Sequence, residues 1–317
     1  MRSLVLVIVI FLLLLPAAFA VAQESQDLEK APSDVAQGQV AEPKPKINNL
    51  PFNMYGLSGL MVTTATRTLR PGSFEVGLAG SWEQSTRPVY YDREVDFLAA
   101  VGIPGGLEFG LKAPYVMTDL KYALVRNFYT NKVTPTYLQS AASGLGSIEG
   151  MLKWGFVQQH QFLPAFAVGV GFIAPGSDYQ QGISQVKVYG AKITFAMGLE
   201  LNDLAFTDYA FAILADGTLV LRDVDVDRHA YEEKHGLVHG GLIFPLHPRN
   251  FLELLIEYEG QLLAGTTNDK DINSIVATLR FVTNHFNVTA GARYNFKQDP
   301  AFDNSITYIA NFSYTYF

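Results

Sequence analysis

Ser305-Ile306-Thr307-Tyr308-Ile309-Ala310-Asn311-Phe312-Ser313-Tyr314-Thr315-Tyr316-Phe317 is the last stretch of the sequence. Ile306, Tyr308, Ala310, Phe312, Tyr314 and Tyr316 alternate with Thr307, Ile309, Asn311, Ser313 and Thr315. A strand here carries one apolar, aromatic face and one that is mostly small and polar. Strands at the edge of soluble sheets hold charges or prolines that block stray pairing, and this stretch has neither. It must find a partner strand. A strand that is greasy outside and polar inside fits a closed membrane barrel, in which the last strand pairs with the first.

Segments of about ten residues with the same alternation run upstream to Gly72. The first, from Ser73 to Glu83, sets Phe74, Val76, Leu78 and Trp82 against Ser73, Glu75, Ala79, Ser81 and Glu83. Val95 to Ile103 repeats the scheme, and Pro104-Gly105-Gly106 turns into Leu107, Phe109 and Leu111 opposed by Glu108 and Lys112. Further segments centre on Trp154, Val170, Phe195, Leu219, Leu242, Leu254, Leu279 and Tyr294. The pattern predicts an all-β, transmembrane, antiparallel up-and-down barrel of about twelve strands over residues 73–317. Short turns are expected at Pro104–Gly106, His160–Pro164, Pro245–Asn250 and Thr283–His285. Longer, extracellular loops are expected at Asp119–Gly144, Pro175–Val186 and Asp223–Glu233, since such barrels keep their periplasmic turns short.

The aromatic-rich final strand ending in Phe resembles the closing strand of bacterial outer-membrane β-barrel proteins. In that family it serves as an assembly signal, so the resemblance implies outer-membrane lipid as surroundings and the outer-membrane assembly machinery as a partner during insertion. Phe317 itself falls on the opposite series from Tyr314 and Tyr316. The stretch 51–72, with Tyr55-Gly56-Leu57-Ser58-Gly59-Leu60 and a run of threonines before Arg70-Pro71-Gly72, is similar to the opening of a barrel family associated with exopolysaccharide export. It is expected to be a lead-in or a plug.

At the N-terminus, Arg2, the apolar run Leu4–Leu15, Pro16 and Ala18-Phe19-Ala20 read as a signal peptide over residues 1–22. Residues 23–50, rich in Gln, Glu, Ser, Pro and Lys, read as a disordered periplasmic linker. The chain is 49% hydrophobic and 17% charged, yet beyond the signal no apolar run reaches 18 residues, so its hydrophobicity must be spread by alternation. A net charge of -7 argues against a nucleic-acid partner. With no cysteine there is no disulfide framework and no thiol for lipid attachment.

Parity assigns Glu75, Glu108, Lys112, Glu149, Lys153, Lys192, Asp216, Arg222, Glu253, Glu257, Glu259, Arg280 and Arg293 to the interior as candidate pore-lining residues. Mixed charge there suits a constriction that filters solutes by size and field, or else a network of paired charges that stiffens a narrow barrel. If the lumen conducts, the stripe Glu253, Glu257 and Glu259 would favour cations. Asp223, Asp225, Asp227 and His229 cluster at a predicted extracellular rim, where carboxylates could activate water, hold a cation through oxygen ligands or simply be solvated. No catalytic residue and no cofactor is expected. The leading functional reading is passive passage of small solutes. The alternatives are a structural or export-associated barrel with a blocked lumen and an unidentified periplasmic partner, and an extracellular-rim hydrolase.

Overall fold

A computed structural model gives the fold. It describes residues 53–317 apart from Tyr55 and the stretches 87–88, 127–132, 161–162, 177–185, 202–210, 227–228, 248–250, 265–271, 284 and 298–304. The expected signal peptide and linker lie outside the described residues.

The chain runs through β1 (Phe74–Thr86), β2 (Val89–Ile103), β3 (Leu107–Arg126), β4 (Val133–Leu145), β5 (Ile148–Val157), β6 (Ala165–Ala174), β7 (Val186–Glu200), β8 (Ala212–Val226), β9 (His229–Pro245), β10 (Leu252–Ala264), β11 (Ile272–Val282), β12 (Phe286–Lys297) and β13 (Ser305–Tyr316). β4 and β5 are two halves of one stave. β5 pairs with Leu107–Lys112 of β3 and β4 with Tyr115–Arg126, giving a barrel of twelve staves. The break falls at Pro114, which has no N–H to give the ladder; its carbonyl still accepts from Gly146 N at 2.8 Å. Between Lys112↔Glu149 and Tyr115↔Leu145 the opposing strand holds one extra residue, a bulge.

All pairs are antiparallel, and β1 closes on β13 from Phe74↔Tyr316 to Gln84↔Ile306. Closure leaves neither terminal strand with an open edge, which hydrocarbon would not tolerate. In β13 the alternation is complete: Thr307, Ile309, Asn311, Ser313 and Thr315 are buried, while Ile306, Tyr308, Phe312 and Tyr316 are exposed. Around the wall, exposed Phe74, Phe156, Phe286 and Tyr316 form one aromatic belt, and Tyr115, Tyr189, Tyr258, Tyr294 and Tyr308 form another. Aliphatic residues such as Ile193, Leu219 and Ile256 lie between them, the pattern of a lipid-facing band. Phe317 lies beyond β13, against His285 and under the Arg70 guanidinium, so its departure from phase costs the strand nothing.

Two of the expected long loops are strand instead. β3 and β4 carry the chain from 119 to 126 and from 133 to 144 as paired strands with one shift of register between Leu120 and Tyr122, and β8 and β9 pair Asp223↔Glu232 and Asp225↔Ala230. β3 has 20 residues, about twice what a tilted strand needs to cross the hydrocarbon. Beyond the membrane both faces meet water, so the apolar alternation fades there although pairing continues. Of Pro175–Val186, Val186 begins β7 and 177–185 lie outside the described residues.

Residues 53–70 run inside the barrel. They have no regular period; their own bonds make a tight loop, with Leu60 N to Thr63 O at 2.9 Å, Ala65 N to Ser58 O at 3.0 Å and Met54 N to Met61 O at 2.8 Å. Leu60 and Ala65 pack against Ala212, Leu214, Ile243 and Leu255 of the wall. Met54, Met61 and Val62 pack against Val276 and Ile309, and Leu69 against Ala79, Leu98 and Ala100. The chain leaves the lumen through Gly72, whose positive φ of 82° makes the turn into β1.

Candidate functional site

The inner segment meets the wall through buried charges. Glu257, mid-strand on β10, accepts from the backbone N–H groups of Met61, Val62 and Thr63 at 2.9, 2.9 and 2.8 Å and from the Thr63 hydroxyl at 2.9 Å. The turn at Leu60–Thr63 aims three successive amides at one point, a concave nest that suits a carboxylate. Glu108 on β3 accepts from Ser58 N at 2.8 Å, Ser58 Oγ at 2.6 Å and Leu69 N at 2.8 Å. Lys153 on β5 lies 3.4 Å from Glu108 and donates to the Ser58 hydroxyl and the Arg67 carbonyl, both at 2.8 Å. Asp216 on β8 accepts from Thr64 N at 2.6 Å, and its other oxygen lies 2.7 Å from His239 Nδ1.

Arg280 on β11 donates from Nε to Glu253 at 2.6 Å and from Nη1 to the Gly59 carbonyl at 3.3 Å. Arg67 pairs with Glu200 at the end of β7. A carboxylate or ammonium in this interior is tolerable only with such partners, because an unmet buried charge costs several kcal/mol, on the order of 3 to 5.

Close approach is allowed by glycines on the inner face. A Cβ at Gly110 would sit 2.2 Å from the Gly56 carbonyl oxygen, and one at Gly241 would sit 2.4 Å from Leu60 Cδ1. Both positions are therefore docking notches. Val62, Thr63 and Ala65 have no exposed surface, so no water-wide passage runs beside them.

Nearer the far end of the barrel, where β1 meets β2 and β12 meets β13, the ion pairs run along the wall. Lys112 reaches Glu94 at 2.8 Å and Asp96 at 3.1 Å on neighbouring β2. Lys192 on β7 pairs with Glu149 on β5, and Arg293 on β12 with Glu259 on β10 at 3.1 Å. Each of these pairs joins strands that are adjacent or one apart. Between them lie hydroxyls and amides, with Thr194 Oγ1 2.7 Å from Thr218 Oγ1 and Ser274 Oγ 2.8 Å from Asn295 Oδ1. A small cavity beside Thr64 is lined by Glu149, Lys192, Thr194, Thr218 and His239.

Of the residues parity assigns to the interior, Glu108, Lys153, Asp216, Glu257 and Arg280 touch the inner segment, Arg293 reaches both Glu259 and the Met54 sulfur of that segment, and Lys112, Glu149, Lys192, Glu253 and Glu259 pair with other wall residues. Glu75 is buried near the start of β1. The side chains of Arg222, Asp223 and Asp225 and the whole of Asp227 lie outside the described residues. Sequence reasoning did not reach the segment's own contributors, Ser58, Thr63 and Thr64, because the wall binds mainly their backbone. Among the described residues no group of His, Asp and Glu could hold a metal ion.

No protein-family model and no curated protein sequence matches the chain. Among solved structures it is similar to an outer-membrane channel from Pseudomonas putida, at 9% identity over 79% of this chain and 98% of that one, with a TM-score of 0.50. It is also similar to the translocator domain of the autotransporter NalP from Neisseria meningitidis, at 9% identity, 76% and 87% coverage and a TM-score of 0.43. A third is the KdgM porin in complex with disordered oligogalacturonate, at 9% identity, 77% and 99% coverage and a TM-score of 0.41. The fold is that of the bacterial outer-membrane β-barrels.

Proposed function

We propose that the protein is an outer-membrane channel for small solutes, with residues 53–70 as a plug that closes its periplasmic half at rest. The observation that carries this reading is what crosses the lumen. Among the described residues the wall's own ion pairs run along it, between strands adjacent or one apart, whereas the inner segment spans from Glu108 on β3 to Glu257 on β10. A barrel stiffened by its wall charges would pair them across the middle; here the obstruction is a separate piece of chain joined to the wall at Gly72. Besides the apolar packing of Met54, Leu60, Met61, Val62, Ala65 and Leu69, its contacts are hydrogen bonds, each net worth about 0.5 to 3 kcal/mol, which water can replace as the segment leaves. Both barrel termini, with the turns at 104–106 and 283–285, lie at the plugged end, which is assigned to the periplasm.

The test is conductance in planar bilayers. Gly110→Leu places a side chain where the Gly56 carbonyl now sits and should displace the plug, raising open probability well above that of the native protein. Replacement of 53–70 by a Gly/Ser linker of equal length should do the same. Silence from both, in barrels that still show heat-modifiable migration, would leave a permanently blocked barrel as the better account.

A further inference from the structure

The groups that hold the plug differ in one respect, the charge of their partners. Glu257 is bound wholly by three amides and a hydroxyl, none of which carries a countercharge. Asp216 has the Thr64 amide and His239, and Glu108 has two amides, a hydroxyl and the more distant Lys153. By contrast, Glu253 is neutralised by Arg280 and Glu259 by Arg293, charged partners that belong to the wall and stay with the barrel when the plug leaves. When the plug leaves, its amides go with it. Three carboxylates on β3, β8 and β10 then face water in the same half of the lumen against a single lysine and a histidine.

We propose that release of the plug converts its docking carboxylates, Glu108, Asp216 and Glu257, into a filter that favours small cations. The latch and the filter are then the same residues, and the selectivity belongs to the open state. Of the stripe Glu253, Glu257 and Glu259, only Glu257 contributes. The donors that the inner segment offers these carboxylates, amide N–H groups and two hydroxyls, show that their oxygens face that segment and accept hydrogen bonds from it. A lumen with one sign of fixed charge concentrates counterions and excludes co-ions.

This inference rests on the gated-channel reading, and two readouts separate them. Gly110→Leu protein, or protein with the 53–70 linker replacement should the first not fold, is placed in a potassium chloride gradient and its reversal potential is measured. Conductance rises and potassium is favoured over chloride by roughly tenfold, the low end of the enrichment such a field produces. Adding Glu257→Gln lowers that ratio severalfold, whereas adding Glu149→Gln together with Lys192→Gln, which removes a neutral pair between wall strands, leaves it unchanged. Raised conductance with a reversal potential near zero or of anion sign overturns the filter and leaves the plug intact as an idea. No rise in conductance in either variant overturns both.

Discussion

Glu257 accepts hydrogen bonds from both the backbone N–H and the hydroxyl of Thr63, a residue 194 positions earlier in the chain. This contact ties the turn of the inner segment to the middle of β10, and with Met61 and Val62 it places four donors on one carboxylate. Glu257→Ala removes the acceptor and leaves three amides in a buried site. Exchange of the Met61–Thr63 amide hydrogens should quicken by about 10- to 100-fold, matching the loss of roughly 1.5 to 3 kcal/mol for charged hydrogen bonds. The thermal transition of the barrel should hardly move. Exchange at the native rate would mean that the segment is held elsewhere.

Neighbouring glycines on β9 offer an internal control. Gly241 lies against Leu60, whereas a Cβ at Gly240 would meet nothing within 4 Å. Gly241→Leu should weaken docking of the segment by about 1 to 3 kcal/mol, the usual cost of overpacking, and make it accessible to protease in detergent. Gly240→Leu should leave it protected. Equal protection in both variants would show that the notch at Gly241 is not needed.

The outer surface can be probed at Phe195, which is 51% exposed midway along β7. Phe195→Arg should cost about 2 to 4 kcal/mol of folding free energy in lipid vesicles if the site lies near the bilayer midplane. Thr194→Ala, on the other face, should cost much less. Equal losses would contradict a lipid-facing series.

Closure of the barrel has a register that cysteines can read, because the native chain has none. Ala79→Cys with Asn311→Cys should crosslink on oxidation, since the two residues are direct partners between β1 and β13. Ala79→Cys with Phe312→Cys should not, because a shift of one residue sends the side chain to the opposite face. Deletion of Tyr314–Phe317 removes the partners of Phe74, Glu75 and Val76 and should abolish heat-modifiable migration. Crosslinking in the shifted pair alone would place β13 in another register.

Alternation made the membrane-spanning wall readable because two solvents impose it: Phe312 and Ser313 differ for the same reason that lipid and lumen differ. The rule lapses where β3 rises past Asp119 and β8 past Arg222, and those strand extensions read as loops. The inner segment is harder still. Leu57, Leu60, Met61 and Val62 are all buried, and residues 56–66 have no exposed face and no period to betray them. Alternation assigns Glu108 and Glu257 to the lumen-facing series, but their partners are backbone amides, which every residue except proline supplies. Gly110 and Gly241 were the available signal, since an inward glycine in a strand marks close approach of another chain. Parity alone does not tell that from a thin place in the wall.

The central claim is that residues 53–70 gate the lumen, and a reversible lock tests it most directly. Thr66→Cys with Gly198→Cys brings two sulfurs together, because a Cβ at Gly198 would lie 2.8 Å from Thr66 Oγ1. Oxidised protein in a planar bilayer should show no openings, and a reductant added to the same membrane should restore the native openings within minutes. Openings of equal frequency in the oxidised and reduced states would contradict the account.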